Sequence, residues 1–267
     1  MRLMTWNINS LRLRLPLLAR LAQAQRPDII CLQETKVPDG LFPAQPLHDL
    51  GYVHQHYCGM KGYNGVAILS RHPMTRLEDT PDWCKKSDTR HIGALLETRD
   101  GPVTVHDFYV PAGGDIPDPA LNEKFAHKLA FLDEVTAWFR NTPPERTILV
   151  GDLNIAPLEH DVWSHKQLAN TVSHTPPEIE RLDHWQRTGF MDAMRLEVPP
   201  EEKLYTWWSY RNRDWKVSNR GRRLDHIWIT PDLRPCLERI EILRDVRDWE
   251  SPSDHVPVTI DLDLIIS

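Results

Sequence analysis

The stretch R-T-I-L-V-G-D-L-N-I-A-P, residues 146–157, carries the pattern on which the fold prediction depends. Its apolar run 147–150 predicts a buried strand, and Gly151 ends that run. Asp152 and Asn154 follow directly, two residues apart, at the place where loops commonly carry functional side chains. The stretch therefore predicts a buried strand whose end presents two polar side chains together.

The same arrangement recurs at other predicted strands. Asn7 and Asn9 follow the run 3–6, Gln33 and Glu34 follow 28–32, Tyr109 follows 103–108, and Asp254 and His255 precede 256–264. Ligands of open α/β sheets gather at strand ends, and oxygen donors from Asp, Glu and Asn suit Mg²⁺ or Mn²⁺ better than Zn²⁺. Each residue alone has an ordinary explanation as a turn, cap or core residue. Five such strand ends together favour one shared site.

The remaining apolar pattern predicts the fold class. Further strands are expected at 65–69, 92–96, 204–210 and 224–229, and helices at 11–25 and 119–140. The Asp100-Gly101 pair is typical of a hairpin turn. Strands paired by hairpins and interrupted by helices predict mixed β-sheets with helices packed outside, in a single domain over residues 1–267.

The overall composition limits the binding partners and the cellular compartment that we expect for the protein. The 267 residues carry a net charge of −6, so nucleic-acid binding requires a local basic patch. The four cysteines are scattered and form no C-x-x-C pair, which suits a reducing compartment. The N-terminus lacks the apolar core of a signal peptide, and no run is long enough to span a membrane. We therefore expect a cytoplasmic protein.

Asp225 gives an independent indication of function. In the predicted strand, alternation puts Asp225 on the same face as Ile227 and Ile229. A carboxylate on an apolar face needs a partner. The sequence favours His255 and Arg223 about equally for that role; His255 would make Asp225 a catalytic support, and Arg223 would make it structural.

Residues 205–223 form a segment rich in cations and aromatic rings. Its members are Arg211, Arg213, Lys216, Arg220, Arg222 and Arg223, interleaved with Trp207, Trp208, Tyr210 and Trp215. Cations for phosphates beside aromatic faces are typical of nucleic-acid contact. Lys85, Lys86 and Arg90 predict a second basic edge. The alternative is a solvated charged loop over core tryptophans, and Trp208 in particular suits the core.

The ordered motifs resemble the exonuclease III family. They are W-N-I-N-S-L-R at 6–12, L-Q-E-T-K at 32–36, G-D-L-N-I-A-P at 151–157, N-R-G-R-R-L-D-H at 219–226 and S-D-H-V-P-V at 253–258. The resemblance implies a four-layer α/β sandwich, with two packed mixed sheets flanked by helices. It also implies a monomeric, Mg²⁺-dependent nuclease, with Mn²⁺ able to substitute. Its expected substrate is double-stranded DNA, with incision 5′ to abasic sites, 3′→5′ exonuclease action and removal of 3′ blocks.

The resemblance also implies roles for individual residues. The expected metal ligands are Asn7, Glu34, Asp152, Asn154 and Asp254. The expected catalytic residues are Asp152 as the group that orients or deprotonates water, Asn154 beside it, Tyr109 near the phosphate or leaving oxygen, and His255 on the phosphate with Asp225 supporting it. The expected DNA contacts are Arg90, Trp207, Arg211, Arg213, Lys216, Arg222 and Leu224.

Arg222 departs from the family pattern. Members that specialise in abasic sites often carry Trp at the matching position, while Trp207 and Leu224 still resemble apolar walls of a flipped-sugar pocket. A cation in place of an apolar wall predicts weaker abasic-site processing. It favours either stronger phosphate binding or 3′-end processing.

Two other functions compete with a DNA-repair nuclease. A phosphoesterase of the same superfamily, acting on lipid or inositol phosphates, would share Glu34, Asp152 and His255 but lack the basic aromatic segment. A catalytically silent nucleic-acid-binding module would have lost at least one of the six motif residues Glu34, Asp152, Asn154, Asp225, Asp254 and His255. All six are present, so hydrolysis is favoured over binding alone.

Overall fold

The computed structural model describes residues 1–212 and 214–267, so the predicted DNA contact Arg213 lies outside the described residues. The strands in chain order are β1 (Arg2–Asn7), β2 (Ile29–Gln33), β3 (His54–Cys58), β4 (Val66–Ser70), β5 (Thr75–Arg76), β6 (His91–Leu96), β7 (Val103–Tyr109), β8 (Thr147–Asp152), β9 (Met191–Asp192), β10 (Trp207–Trp208), β11 (Gly221–Arg222), β12 (Asp225–Ile229), β13 (Leu237–Ile242) and β14 (Val258–Leu262). The α-helices are α1 (Leu11–Gln25), α2 (Ala44–Asp49), α3 (Glu123–Asn141), α4 (His165–Leu168), α5 (Pro176–Gln186), α6 (Ala193–Glu197) and α7 (Trp215–Ser218).

The strands form two six-stranded mixed sheets and one short ribbon. The first sheet has the order β13-β14-β1-β2-β4-β3 and the second β5-β6-β7-β8-β12-β9, while β10 pairs with β11. Within the sheets, β1 runs parallel to β2 and β7 parallel to β8; the other pairs are antiparallel. The predicted hairpin around Asp100-Gly101 joins the antiparallel pair β6 and β7.

Three apolar clusters hold four layers together. Residues such as Ile29, Ile68, Val105 and Ile148 fill the space between the two sheets. The outer face of the first sheet packs on α1. The outer face of the second sheet packs on α3 and α5, where Phe108, Phe131, Phe139, Trp185 and Trp228 meet. This order of helix, sheet, sheet and helix confirms the predicted α/β sandwich. No helix of the described chain is long and apolar enough to span a membrane.

Strand register brings the polar strand ends together. Tyr109 on β7 lies beside Asp152 on β8, because these parallel strands end at the same edge. Asp225, the first residue of the antiparallel β12, lies on the other side of Asp152. In the first sheet, Asn7 ends β1 beside Gln33 at the end of β2. The Ser253 hydroxyl donates to Asn7 O at 2.7 Å, which fixes the 253–255 loop at the same edge.

The structure corrects several element predictions. The helix predicted at 119–140 begins at Glu123, where the Asn122 side chain caps it by accepting from Lys124 N. The strand predicted at 204–210 was wrong over most of its length, since only Trp207–Trp208 is a strand. Strands β3 and β13 and helix α5 were missed, because half-exposed polar residues mask their periodicity.

Gly151 is required by the close approach of β7. Its φ is +137°, and a Cβ atom there would lie 1.9 Å from Phe108 O. We predict that Gly151→Ala lowers the free energy of unfolding by about 2–5 kcal/mol, because backbone strain adds to overpacking. Urea denaturation measures this loss. Gly62→Ala is the matched control, since Gly62 has φ +87° but open space around it; it should cost only about 1 kcal/mol. Equal losses in the two variants would contradict the steric argument.

Candidate active site

A cavity of about 680 Å³ opens at the edge where the strand ends converge. Its lining includes six of the predicted catalytic and metal residues: Glu34, Tyr109, Asp152, Asn154, Asp254 and His255. Asn7 and Asp225 are buried and bonded to these side chains from below. The structure thus brings together every predicted catalytic and metal residue, from six separate segments of the chain.

Glu34 has hydrogen-bond or ion-pair partners at both carboxylate oxygens. Its Oε1 accepts from the Tyr109 hydroxyl at 2.8 Å and from Asn7 Nδ2 at 3.0 Å. Lys36 Nζ lies 2.7 Å from its Oε2. Burial alone would raise the pKa of Glu34, but Lys36 and Asn7 outweigh burial and hold the pKa below its ordinary value. Glu34 is therefore an ionised carboxylate at neutral pH.

Asp152 is almost completely buried at the end of β8. Its Oδ1 accepts from Asn154 N at 3.0 Å, and its Oδ2 accepts from Asn7 Nδ2 at 2.8 Å and Asn154 Nδ2 at 3.3 Å. Burial raises the pKa of Asp152 to about 7, against the opposing effect of His255. A carboxyl group with this pKa exchanges protons readily near neutral pH, which suits a general base.

His255 lies between two buried carboxylates. Its Nδ1 is 2.8 Å from Asp225 Oδ2, and its Nε2 is 3.6 Å from Asp152 Oδ2. Burial would lower the pKa of His255, but Asp225 and Asp152 raise it to about 10. The ring is therefore an imidazolium that donates from Nδ1 to Asp225. A cation fixed at the cavity wall can stabilise negative charge on a phosphate.

The contact with His255 settles which partner Asp225 has. Arg223, the alternative that the sequence left open, is fully buried elsewhere and pairs with Asp161 at 2.7 Å and Asp192 at 2.6 Å. Asp225 also shares the apolar face with Ile227 and Ile229, as strand alternation predicted.

Asp254 anchors the neighbouring wall of the cavity. Its Oδ2 accepts from Trp207 Nε1 at 2.9 Å and its Oδ1 from Asn9 Nδ2 at 3.1 Å. Burial opposes ionisation, yet His255, Trp207 and Asn9 together hold the pKa of Asp254 below its ordinary value. Asn9 Oδ1 in turn accepts from Lys36 Nζ at 2.6 Å. This chain of contacts connects Asp254 to Glu34.

Several residues around the cavity have left-handed backbone conformations. Asn9, Glu34, Lys36 and Asn154 have φ values of 47°, 53°, 52° and 54°. Such conformations cost free energy in residues other than glycine and cluster at functional sites. The hydrogen bonds of Asn9, Glu34 and Asn154 to their neighbours hold these conformations in place.

The donor set fits a hard divalent cation at Glu34 and Asp254. Both carboxylates are ionised, and the Lys36 ammonium already rests on Glu34 Oε2, where a cation is stabilised. Carboxylate oxygens of this kind bind divalent metals such as Mg²⁺ or Mn²⁺. The Oδ1 of Asn7 accepts from Asn9 N, and its Nδ2 donates to both Glu34 and Asp152. Asn7 therefore orients the two carboxylates, while its Oδ1, which accepts one hydrogen bond from Asn9 N, keeps a second lone pair.

The buried trio Asp152, Asp225 and His255 also has metal-like spacing, with ligand atoms within 4.8 Å of one another. A histidine must be neutral to bind a metal. His255 is held as an imidazolium by the two carboxylates, so this trio is an ion-paired chain. The ionised carboxylates of Glu34 and Asp254 fit a divalent cation better than this trio does.

The predicted DNA contacts divide into two groups. Trp207, Arg211, Arg222 and Leu224 line the cavity. Arg90 and Lys216 are outside the cavity lining: the Arg90 guanidinium lies 5.1 Å from the Tyr109 ring centre, and Lys216 pairs with Asp248. Trp208 and Trp215 are buried and pack on one another, so the core alternative is correct for these two rings.

Sequence reasoning missed the buried pair Lys128 and Glu178. Lys128 Nζ lies 2.5 Å from Glu178 Oε2 and donates to Asn154 O at 2.8 Å. Glu178 accepts from the backbone N–H groups of Ser173 and Thr175. Together they join helix α3 to Asn154 and to the 171–175 wall of the cavity. A charged residue at a predicted apolar helix position was the signal that could have identified Lys128.

Carboxylates and an imidazolium around one cavity are the groups that a hydrolase acting on phosphate esters uses. Residues 4–255 match the Endonuclease/Exonuclease/phosphatase family. The exodeoxyribonuclease III of Haemophilus influenzae is 32% identical, over 97% of this chain and 98% of that protein. The chain therefore belongs to the Endonuclease/Exonuclease/phosphatase family, whose members are hydrolases that depend on divalent metals.

Solved structures of relatives share the whole fold. The 3′ phosphatase NExo from Neisseria, bound to a product DNA hairpin, has a TM-score of 0.89 and 32% identity, covering 98% of this chain and 99% of that one. An AP endonuclease from Archaeoglobus fulgidus has the same TM-score, identity and coverage. These relatives show that this architecture accommodates more than one reaction on DNA.

The charge of His255 depends on Asp225, and NMR tests that dependence. We predict that Asp225→Asn lowers the pKa of His255 from about 10 by at least about one unit. The substitution removes the carboxylate that does most to stabilise the charged ring. The folded pKa lies above the ordinary 6.5. The stabilisation by the charged ring is therefore complete below pH 6.5 and is lost as the pH rises toward 10.

The measurement follows the His255 ring proton in metal-free protein through a pH titration. Asp245→Asn, at an exposed acid, is the matched control and should leave the pKa of His255 unchanged. An unchanged pKa in Asp225→Asn would show that Asp225 does not hold the ring charged.

Proposed function

We propose that the protein is a DNA-repair nuclease of this family that uses Mg²⁺, with Mn²⁺ able to substitute. It hydrolyses phosphodiesters of double-stranded DNA at 3′ ends or next to abasic sites. It acts as a monomer with one catalytic domain over residues 1–267. It works in the cytoplasm, a reducing compartment in which its four free cysteines stay reduced. The observation that carries the proposal is the pairing of a buried base, Asp152, with an imidazolium, His255, in one cavity that has arginines on its wall.

The reaction begins with a water molecule held by Asp152 and Asn154. The Asp152 pKa of about 7 allows the carboxylate to take the proton of this water as its oxygen attacks phosphorus. Asn154 fixes the orientation of the Asp152 carboxylate through its backbone N–H and its side-chain amide. No covalent intermediate with the protein forms.

His255 stabilises the phosphate while charge builds on its oxygens, and Tyr109 lines the same cavity as a phenol whose hydroxyl donates to Glu34. The imidazolium contributes a full positive charge, and burial beside Glu34 and Asp152 keeps the Tyr109 phenol protonated by raising its pKa. A preorganised cation in a buried site stabilises the transition state more than it would in water. A divalent metal held by Glu34 and Asp254 would neutralise phosphate charge and help to orient the phosphate.

The wall formed by Trp207, Arg211, Arg222 and Leu224 supports DNA as the substrate. Arg211 and Arg222 supply cations for phosphates, and Trp207 supplies a half-buried aromatic face beside Asp254. Lipid or inositol phosphatases need a different platform, so this wall favours DNA over the phosphoesterase alternative.

A gel assay on two labelled duplexes tests the function. One duplex carries a central abasic analogue and the other a recessed 3′ end, each with Mg²⁺ or with EDTA. We expect Mg²⁺-dependent cleavage of at least one duplex. Asp152→Asn should slow it by at least about 10²-fold, the lower range for loss of a positioned acid–base group. Folded wild-type protein that cleaves neither duplex would contradict the proposal, and a near-normal rate in Asp152→Asn would show that water is activated elsewhere.

Glu34 is the proposed centre of the metal site. We predict that Glu34→Gln weakens Mn²⁺ binding by about 10-fold or more, because it removes an ionised ligand. Even mutations of residues that only contact a metal ligand lower metal affinity by about this factor. Isothermal calorimetry measures the affinity without any DNA present. Glu159→Gln, at an exposed acid, is the matched control. Equal affinities in the two variants would remove Glu34 from the metal site.

A further inference from the structure

Arg222 lines the catalytic cavity next to a small apolar cluster. Its guanidinium carbon lies 5.3 Å from the Trp207 ring centre, and Leu168 and Leu224 complete the surrounding apolar cluster. Its Nη1 donates to Ser173 Oγ at 2.8 Å and to Val172 O at 3.2 Å. These contacts fix the Arg222 side chain on the wall of the cavity.

Within the described part of the chain, the charge of Arg222 has no carboxylate partner. Among residues 1–212 and 214–267, no Asp or Glu oxygen lies within 4.0 Å of its guanidinium, and its buried Nε has no hydrogen-bond partner. The next residue, Arg223, shows the contrast, since it is neutralised by two acids. Glu178, the acid whose charge acts on Arg222, is already held by Lys128. A half-buried cation without a counterion costs free energy unless an anion binds there.

The possible substrates differ in the charge that they bring to the part of the cavity where Arg222 lies. In each reaction of the proposed function, the bond from phosphorus to a 3′ oxygen breaks. When the substrate ends in a nucleotide or contains an abasic sugar, the phosphorus is also esterified to the 5′ carbon of that sugar, which carries no charge. A terminal 3′-phosphate has a non-esterified oxygen at the same position. The monoester therefore carries a second negative charge near neutral pH, since its second pKa is about 6.

We infer that Arg222 is a specificity residue that selects DNA ends bearing a 3′-phosphate and disfavours flipped abasic sugars. The inference rests on the proposed function and names the preferred substrate class of the same cavity. The unpaired guanidinium meets the second charge of the monoester, and its pinned position narrows the space for a sugar.

The step itself conserves atoms and charge without any further reactant. The water oxygen forms the new bond to phosphorus, its proton passes to Asp152, and the bond to the 3′ oxygen breaks. That oxygen takes up a proton from solvent. The products are a 3′-hydroxyl end, ready for extension, and inorganic phosphate.

Steady-state kinetics on three matched duplexes test this inference: a recessed 3′-phosphate, a recessed 3′-hydroxyl and an internal abasic analogue. We expect Arg222→Gln to lower kcat/KM for the 3′-phosphate by about 10-fold or more, the range for a lost charge-assisted contact. Removal of the 3′-hydroxyl nucleotide should change much less. Arg222→Leu should raise abasic-site incision relative to 3′-hydroxyl removal. The matched control is Arg220→Gln, because Arg220 is another arginine of the same cavity and lies over the Trp163 ring. This variant should change all three rates by one common factor.

The pH profile separates charge recognition from a structural effect. The difference between wild type and Arg222→Gln on the 3′-phosphate should shrink below about pH 6, where the monoester loses its second charge. On wild type alone, inorganic phosphate should inhibit more strongly than dimethyl phosphate, which lacks that charge. A uniform loss on all substrates in Arg222→Gln, or equal inhibition by the two phosphates, would overturn the inference. Wild type inactive on every duplex would instead overturn the proposed function.

Discussion

The structure depends on one buried carboxylate, Asp152, and on the charged ring that stands beside it. A carboxylate with almost no solvent contact is costly unless it is hydrogen-bonded or paired. Asn7 and Asn154 supply the hydrogen bonds, and the His255 imidazolium supplies the opposite charge. The ring in turn needs Asp225 to remain charged while buried. The catalytic groups therefore stabilise one another, and removing one leaves the others with an uncompensated cost.

The two sheets make this arrangement possible because each contributes what the other lacks. The second sheet supplies Tyr109, Asp152 and Asp225 in one row through strand register. The first sheet supplies Asn7 and Glu34, and its β1 holds the His255 loop through the bond from Ser253 to Asn7 O. The site therefore exists only when the sheets are packed together.

Buried ion pairs outside the catalytic centre hold the walls of the cavity. Lys128 and Glu178 join α3 to Asn154 and to the loop that carries Ser173, while Arg223, Asp161 and Asp192 fix the start of β12. Such pairs add little net stability, since desolvation offsets attraction. Their fixed geometry helps to place both Asn154 and Arg222 on the lining of one cavity.

Much of the fold and of the site could be predicted from sequence because both depend on strand ends. Apolar runs such as 147–150 mark buried strands, and the polar residues after them mark the shared edge. Local pattern gives the face of a residue but not its neighbour across the fold, which is why Asp225 could not be assigned to His255 over Arg223. For the same reason the sequence could not separate Trp215, which is buried against Trp208, from the other rings of the cation-rich segment. The amide orientation of Asn7, a donor to two carboxylates, depends on three dimensions and has no sequence signal.

The central claim is that water attacks phosphorus directly while Asp152 accepts its proton. The most direct test is the stereochemical course at phosphorus. A terminal phosphorothioate of one configuration is hydrolysed in heavy-oxygen water, and the configuration of the released nucleotide is determined. A single in-line attack predicts inversion. Retention would require two displacements through a covalent intermediate with the protein, and would contradict the account.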